Sequence, residues 1–188
     1  MTRHVALLRG INVGTAKRIA MADLRRVFES LGYTHVRTVL QSGNVVFDAP
    51  HLLDTEAATR LQTAIADDTG VNSRVLVVPA DRFLEIVRKN PFADAADPSR
   101  MLVTFLDSPL DESRVVRPSD DELAPERIVI TREAVYQWIP DGLLQSRVIL
   151  PSSTKSPVLA TGRNLRTVTR IVALVSGPDD AVSPTVDV

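Results

Sequence analysis

Between residues 1 and 80 the hydrophobic pattern switches repeatedly between a strand-like and a helix-like period, and this alternation limits the available folds more than any other feature. "HVALLRG" is a short apolar run suited to a buried strand. "MADLRRVFESLG" places Leu24, Val27, Phe28 and Leu31 at helical spacing and closes on Gly32, where a left-handed residue ends a helix. "THVRTVLQ" and "NVVFDA" are β-rich and joined through Ser42 and Gly43, which predicts a hairpin. "DTEAATRLQTAIADDTG" predicts a second helix, capped by Asp54 or Thr55 and ended by Gly70. "SRVLVVPA" is a fourth strand stopped at Pro79. The order β-α-β-β-α-β is the split βαβ, or ferredoxin-like, plan.

Residues 81–176 follow a similar order with different residues. "DRFLEIVRKN" predicts a helix ending before Pro91, and "RMLVTFL" a strand. "LDESRVV" reads as a short helix, followed by an acidic loop around Asp120, Asp121 and Glu122. "ERIVIT" and "AVYQWIP" form a hairpin about Arg132 and Glu133, and "NLRTVTRIVALV" a helix with Leu165, Val168, Val172 and Val175 on one face. No closing strand is evident. Residues 177–188 lack periodicity and are expected to be disordered. No Pro/Gly/Ser-rich linker separates the halves, so they are expected to pack together. The predicted class is α+β, with two fused ferredoxin-like halves (1–80 and 81–176) and antiparallel sheets.

A hydrophobic content of 44% supplies a core, and the absence of cysteine excludes disulfides, thiolate metal sites and cysteine nucleophiles. The first residues carry no signal-peptide pattern, and no apolar stretch reaches the ~18–20 residues that span a bilayer. A cytoplasmic protein without membrane contact is expected. The net charge of -1 gives no global pull toward nucleic acid, but it hides an uneven distribution. Arg3, Arg9, Lys17 and Arg18 fall in a stretch without an acid, as do Arg147, Lys155, Arg163, Arg166 and Arg170, while Asp107 to Glu126 is strongly acidic. If the fold joins the two basic segments, a local positive site results.

The stretch Arg9-Gly10-Ile11-Asn12-Val13-Gly14 fails both the P-loop and the dinucleotide fingerprints. Glycines after a strand nevertheless allow backbone N–H groups to converge on an anion, as well as permitting positive φ at Gly10 and Gly14. Gln41, Ser42 and Asn44 supply hydrogen-bonding groups, or simply hairpin chemistry. Arg163, Arg166 and Arg170, spaced three and four apart, would share a helix face, and Arg163 and Arg166 would lie near its N-terminus, where the dipole disfavours cations. An anion would offset that misfit. Ser152 and Lys155 match S-x-x-K without the other motifs that catalysis requires. His4, His35 and His51 show no metal spacing, and His4 and His35 suit structural roles. RNA stacking is poorly served: aromatics are 4%, and "HVALL" has none where an RNA-binding sheet would stack bases. Tyr136 and Trp138 share a strand face that core packing explains equally well.

Taken together, "VALLRGINVG", "MADLRRVFESLGYTHVRTVLQSGNVVF", "NPF" at Asn90 to Phe92, and "TGRNLRTVTRI" resemble the bacterial family catalogued as domain of unknown function 1697. The resemblance implies an α+β fold of ferredoxin-like halves and supplies no function. Its motifs fall on Arg9, Gly10, Asn12 and Gly14, on Gln41, Ser42 and Asn44, and on Arg163 and Asn164. Where the family carries tryptophan near the last helix, this chain has Leu165, and Gly162 separates Thr161 from Arg163.

The expectation is a basic cleft that binds a phosphate- or carboxylate-bearing small molecule such as a nucleotide. Arg163 and Arg166 would hold the anion, N–H groups near Gly10 and Gly14 would cradle it, and Asn12 or Asn44 would add specificity. The alternatives are a nucleic-acid-binding module and a protein interaction domain, including a homodimer. No cofactor, nucleophile, general base or metal site can be named from these residues.

Overall fold

The structure, a computed structural model, describes residues 1–12, 18–54, 56–150 and 158–177. The expectations for Gly14, Lys17, Thr55, Ser152, Lys155 and residues 178–188 lie outside the described residues.

The first half runs β1 (Thr2–Leu8), α1 (Met21–Ser30), β2 (Thr34–Val39), β3 (Asn44–Ala49), α2 (Ala57–Thr69) and β4 (Val75–Pro79). Its sheet is antiparallel in the order β2-β3-β1-β4. The chain continues through α3 (Ala80–Arg88), β5 (Met101–Leu106), a 3₁₀ turn at Glu112–Arg114, α4 (Asp120–Leu123), β6 (Arg127–Ile130), β7 (Ala134–Trp138), β8 (Ala160–Asn164) and α5 (Leu165–Ser176). The second sheet repeats the first order, as β6-β7-β5-β8. The fold is thus α+β with two four-stranded antiparallel sheets.

Several local signals act as their chemistry dictates. Gly32 and Gly70 take left-handed φ of 82° and 70° after α1 and α2. Asp54 accepts the N–H groups of Glu56 and Ala57 at the start of α2. Two expectations are corrected. The acidic loop contains a helical turn, α4, whose N-cap Ser119 donates its N–H and hydroxyl to the Glu122 carboxylate within the turn. The second sheet does have a closing strand: Ala160–Asn164 pairs antiparallel with β5.

Strand alternation divides the side chains between layers. Ala6, Leu8, Val45 and Phe47 face α1 and α2, packing on Leu24, Phe28, Leu61 and Ile65. The opposite face of the first sheet presents Val5, Leu7, Val46 and Val78. These join Phe83 and Ile86 of α3, Met101, Val103 and Phe105 of β5, and Val168 and Ile171 of α5 in one core drawn from both halves. Phe83 stacks on Phe105 at 4.9 Å, and the Tyr136 hydroxyl donates to the Ile86 carbonyl at 2.7 Å. Leu165 is part-buried against this core, so the residue at the family's tryptophan position packs. The outer face of the second sheet has a smaller core around Leu106, Val135 and Ala160.

The remaining polar contacts fix the ends. His4 is wholly buried; its Nδ1 lies 2.9 Å from the Thr2 carbonyl and its Nε2 accepts the Leu53 N–H. Arg3 forms a forked pair with Asp48 and donates to the Val175 carbonyl near the end of α5. His35 reaches the other side of the same carboxylate at 3.1 Å.

Candidate functional site

The centre of the candidate site is Arg163, and its place differs from the helical one its spacing suggests. Arg163 and Asn164 belong to β8, and α5 begins at Leu165. Asn164 is the N-cap, its Oδ1 accepting the Thr167 N–H at 2.9 Å. Arg163 therefore shares no helix face with Arg166 and Arg170. Arg166 is exposed and lies 4.0 Å from Asp97.

In β8, Thr161 and Arg163 pair with Phe105 and Val103, and so point inward toward the first sheet. The Arg163 guanidinium crosses to the β1 end and the β2–β3 hairpin. Its Nε–H donates to Asn44 Oδ1. One terminal nitrogen donates to Thr161 Oγ1 at 2.9 Å and to the Gly162 carbonyl at 2.8 Å. The other donates to the carbonyls of Leu8 at 2.7 Å and Ser42 at 3.2 Å. Every acceptor is neutral, and no carboxylate among the described residues pairs with it. Burial pushes its pKa down to about 10, so it remains a cation at neutral pH. The residue as a whole is part-exposed, and its neighbour Gly162 is exposed.

The surrounding loops are held for this contact. Gly43, at φ 72°, lets the hairpin sit against Leu8 and Ile11; a Cβ there would come within 2.7 Å of Leu8 Cβ. Asn44 is fully buried and gives its amide N–H groups to the Val39 carbonyl and Ser42 Oγ. Asn12, at φ 54°, donates to the carbonyls of Ile19 and Gln41 and accepts the Ile19 N–H. Gly10 has positive φ, 69°, and is exposed.

A cleft of about 510 Å³ opens beside these residues. Arg9 and Gly10 form one side, and Arg163, Thr161 and Gly162 the edge of β8. Leu102, Thr104 and Gln137 form its floor, and Leu143 with Val148–Leu150 the far wall. The volume falls in the range of small-molecule sites.

Of the ten residues selected from sequence, Arg9, Gly10 and Arg163 meet at this cleft. Asn12, Ser42 and Asn44 bond within the turn and hairpin, and Gln41 is exposed with its carbonyl taken by Asn12. Asn164 caps α5, Arg166 faces Asp97, and Gly14 lies outside the described residues. Asn44, enclosed in the hairpin, and Arg166, exposed beside Asp97, are not among the residues that line this cleft.

Sequence reasoning missed Thr104 and Gln137. Both are buried, 4% and 2% exposed, and both line the cleft. Among the described residues neither side chain forms a hydrogen bond. A glutamine alternating with Tyr136 and Trp138 on an otherwise apolar strand was the available signal.

Among the described residues no cluster of three or more His, Asp or Glu side chains could hold a metal ion, and no helix is long and apolar enough to cross a membrane.

Fold and site together define a class: a two-sheet α+β protein whose halves are joined by a desolvated arginine at the edge of a cleft. The chain belongs to the family of proteins of unknown function DUF1697, whose model matches residues 1–136. It is also similar to the solved structure of a conserved bacterial protein from Streptococcus pneumoniae. That match has a TM-score of 0.68 at 21% identity and covers 93% of this chain and 99% of that one, a likeness of fold. No curated protein matches the chain.

Proposed function

We propose that this protein binds an anionic small molecule with an apolar body in the cleft between the Arg9–Gly10 turn and the second sheet. The observation that carries the reading is the Arg163 guanidinium, a cation held out of water among neutral oxygens at the edge of a cavity. A buried charge without a counter-charge is costly. The five Arg163 N–H groups are already given to protein oxygens, so an acid entering beside Gly162 would be drawn by the unbalanced charge and not by new hydrogen bonds to this guanidinium. Arg9 adds a second positive charge on the same side. Leu102, Leu143 and Ile149 give the body of the ligand apolar surface.

Thermal denaturation of the full chain against inorganic phosphate, carboxylic acids and nucleoside monophosphates tests this. A ligand at a hundred times its Kd would raise stability by about 2.7 kcal/mol, or about 5–10 °C for a domain of this size. Arg9→Ala and Gly162→Val should each reduce the shift, whereas Arg166→Ala should retain it. A shift unchanged in Arg9→Ala and Gly162→Val would place the ligand elsewhere; no shift with any probe would reject the reading.

The nucleic-acid reading has less support, because the positive charge faces a hollow and not an extended surface.

A further inference from the structure

Thr104 and Gln137 sit on adjacent strands of the outer face of the second sheet. Leu102 is the register partner of Gln137 and Val135 that of Thr104, so the two polar residues are diagonal neighbours. Both are more than nine-tenths buried, both line the cleft, and neither side chain forms a hydrogen bond among the described residues. The polar atoms of both therefore keep access to the cleft, where water or a ligand can complete them.

Between this pair and the cationic edge, Leu102 and Thr104 pack closely over Gly162 of β8. Gly162 is the register partner of Thr104 on β8. A Cβ at Gly162 would come within 3.2 Å of both Leu102 Cδ1 and Thr104 Oγ1. The strand order β7-β5-β8 puts Gln137 two strand spacings from the β8 edge, about 10 Å. The cleft is therefore a trough, with a neutral donor–acceptor pair at one end and positive charge at the other.

We infer, building on the anion-binding function proposed above, that the ligand is a nucleotide-like acid whose amide-type base edge docks on Gln137 and Thr104 while its acid group lies toward Arg9 and Arg163. A glutamine amide offers an acceptor and donors side by side, the complement of an N–H next to a ring nitrogen or carbonyl. Inorganic phosphate would satisfy only the charged end. A neutral nucleoside would satisfy only the polar end. The aliphatic side chains of Leu102 and Leu143 take the place of an aromatic stack along the trough.

Titration calorimetry on the full chain distinguishes these parts, with uridine, adenosine and guanosine 5′-monophosphates, the free nucleosides and inorganic phosphate as probes. At least one nucleotide should bind more tightly than phosphate or its own nucleoside. Gln137→Leu and Thr104→Val should each weaken that nucleotide about tenfold to a hundredfold while leaving phosphate binding unchanged. Thr104→Val keeps the side-chain shape and decides the matter if Gln137→Leu does not fold. If phosphate binds and the variants hold nucleotides as the wild type does, the base-edge assignment fails and the anion site stands. If neither nucleotides nor phosphate bind the wild type, both readings fall.

Discussion

Replacing Arg163 with methionine keeps most of the side-chain length and removes all of its donors. Three acceptors in enclosed surroundings lose their partner: Asn44 Oδ1, the Leu8 carbonyl and Thr161 Oγ1. Each orphaned acceptor costs about 1–3 kcal/mol, a gross loss of about 3–9 kcal/mol. Against this, the variant no longer desolvates a charge, a relief of several kcal/mol. The balance favours the wild type by about 2–4 kcal/mol, or about 4–16 °C in Tm for a chain of this length. Urea unfolding at neutral pH measures it, with an unchanged slope showing that the denatured state is the same. Arg163→Lys should lose nearly as much, because one ammonium cannot span acceptors in both sheets. A cycle with Asn44→Ala should show a coupling of about 0.5–3 kcal/mol. A methionine variant as stable as the wild type, with no coupling to Asn44, would refute the claim that this guanidinium joins the halves.

Asn12→Ala removes three hydrogen bonds that tie the turn to Ile19 and Gln41, and should cost about 1–3 kcal/mol in the same assay. Gly43→Ala should be worse than Gly10→Ala: both residues have positive φ, but only Gly43 would drive a Cβ into Leu8 and Ile11, so Gly10→Ala carries backbone strain alone, about 1–2 kcal/mol. Burial lowers the pKa of His4 below its ordinary 6.5, outweighing the Thr2 carbonyl that raises it. The unfolded chain therefore takes up a proton below pH 6.5 that the folded chain refuses, so stability should be level above that pH and decline beneath it. Urea midpoints between pH 5 and 8 should show this decline, and His4→Gln should flatten it.

The elements of the first half were legible because each carries its own periodicity and its own stop. Leu24, Val27 and Phe28 announce α1, and Gly32 and Gly70 end their helices without tertiary help. β8 was not legible. "ATGRN" has neither β-branched alternation nor an apolar face, and it is a strand because β5 offers it a ladder. The same gap misplaced Arg163. Its spacing from Arg166 and Arg170 imitates a helix face, yet Asn164 between them is an N-cap residue and marked the true start of α5. The meeting of Arg9 with Arg163 followed from charge distribution only as a condition, since nothing local says which sheet edges adjoin. Thr104 and Gln137 were missed for a related reason: a polar residue in a strand reads as solvent-facing, and only the fold shows that a wall such as Val148–Leu150 stands beside it.

Arg163 also orders events in time. Its partners on the first half, at Leu8, Ser42 and Asn44, are 155, 121 and 119 residues away along the polypeptide. During synthesis the early hairpin and its neighbouring strand emerge long before the side chain that clamps them. Until β8 arrives those oxygens must remain hydrated, so the first sheet can form early but its inner rim seals only after Ala160–Asn164 has left the ribosome. A nascent chain stalled before β8 should accordingly expose the β2–β3 hairpin to protease, and one released after α5 should protect it.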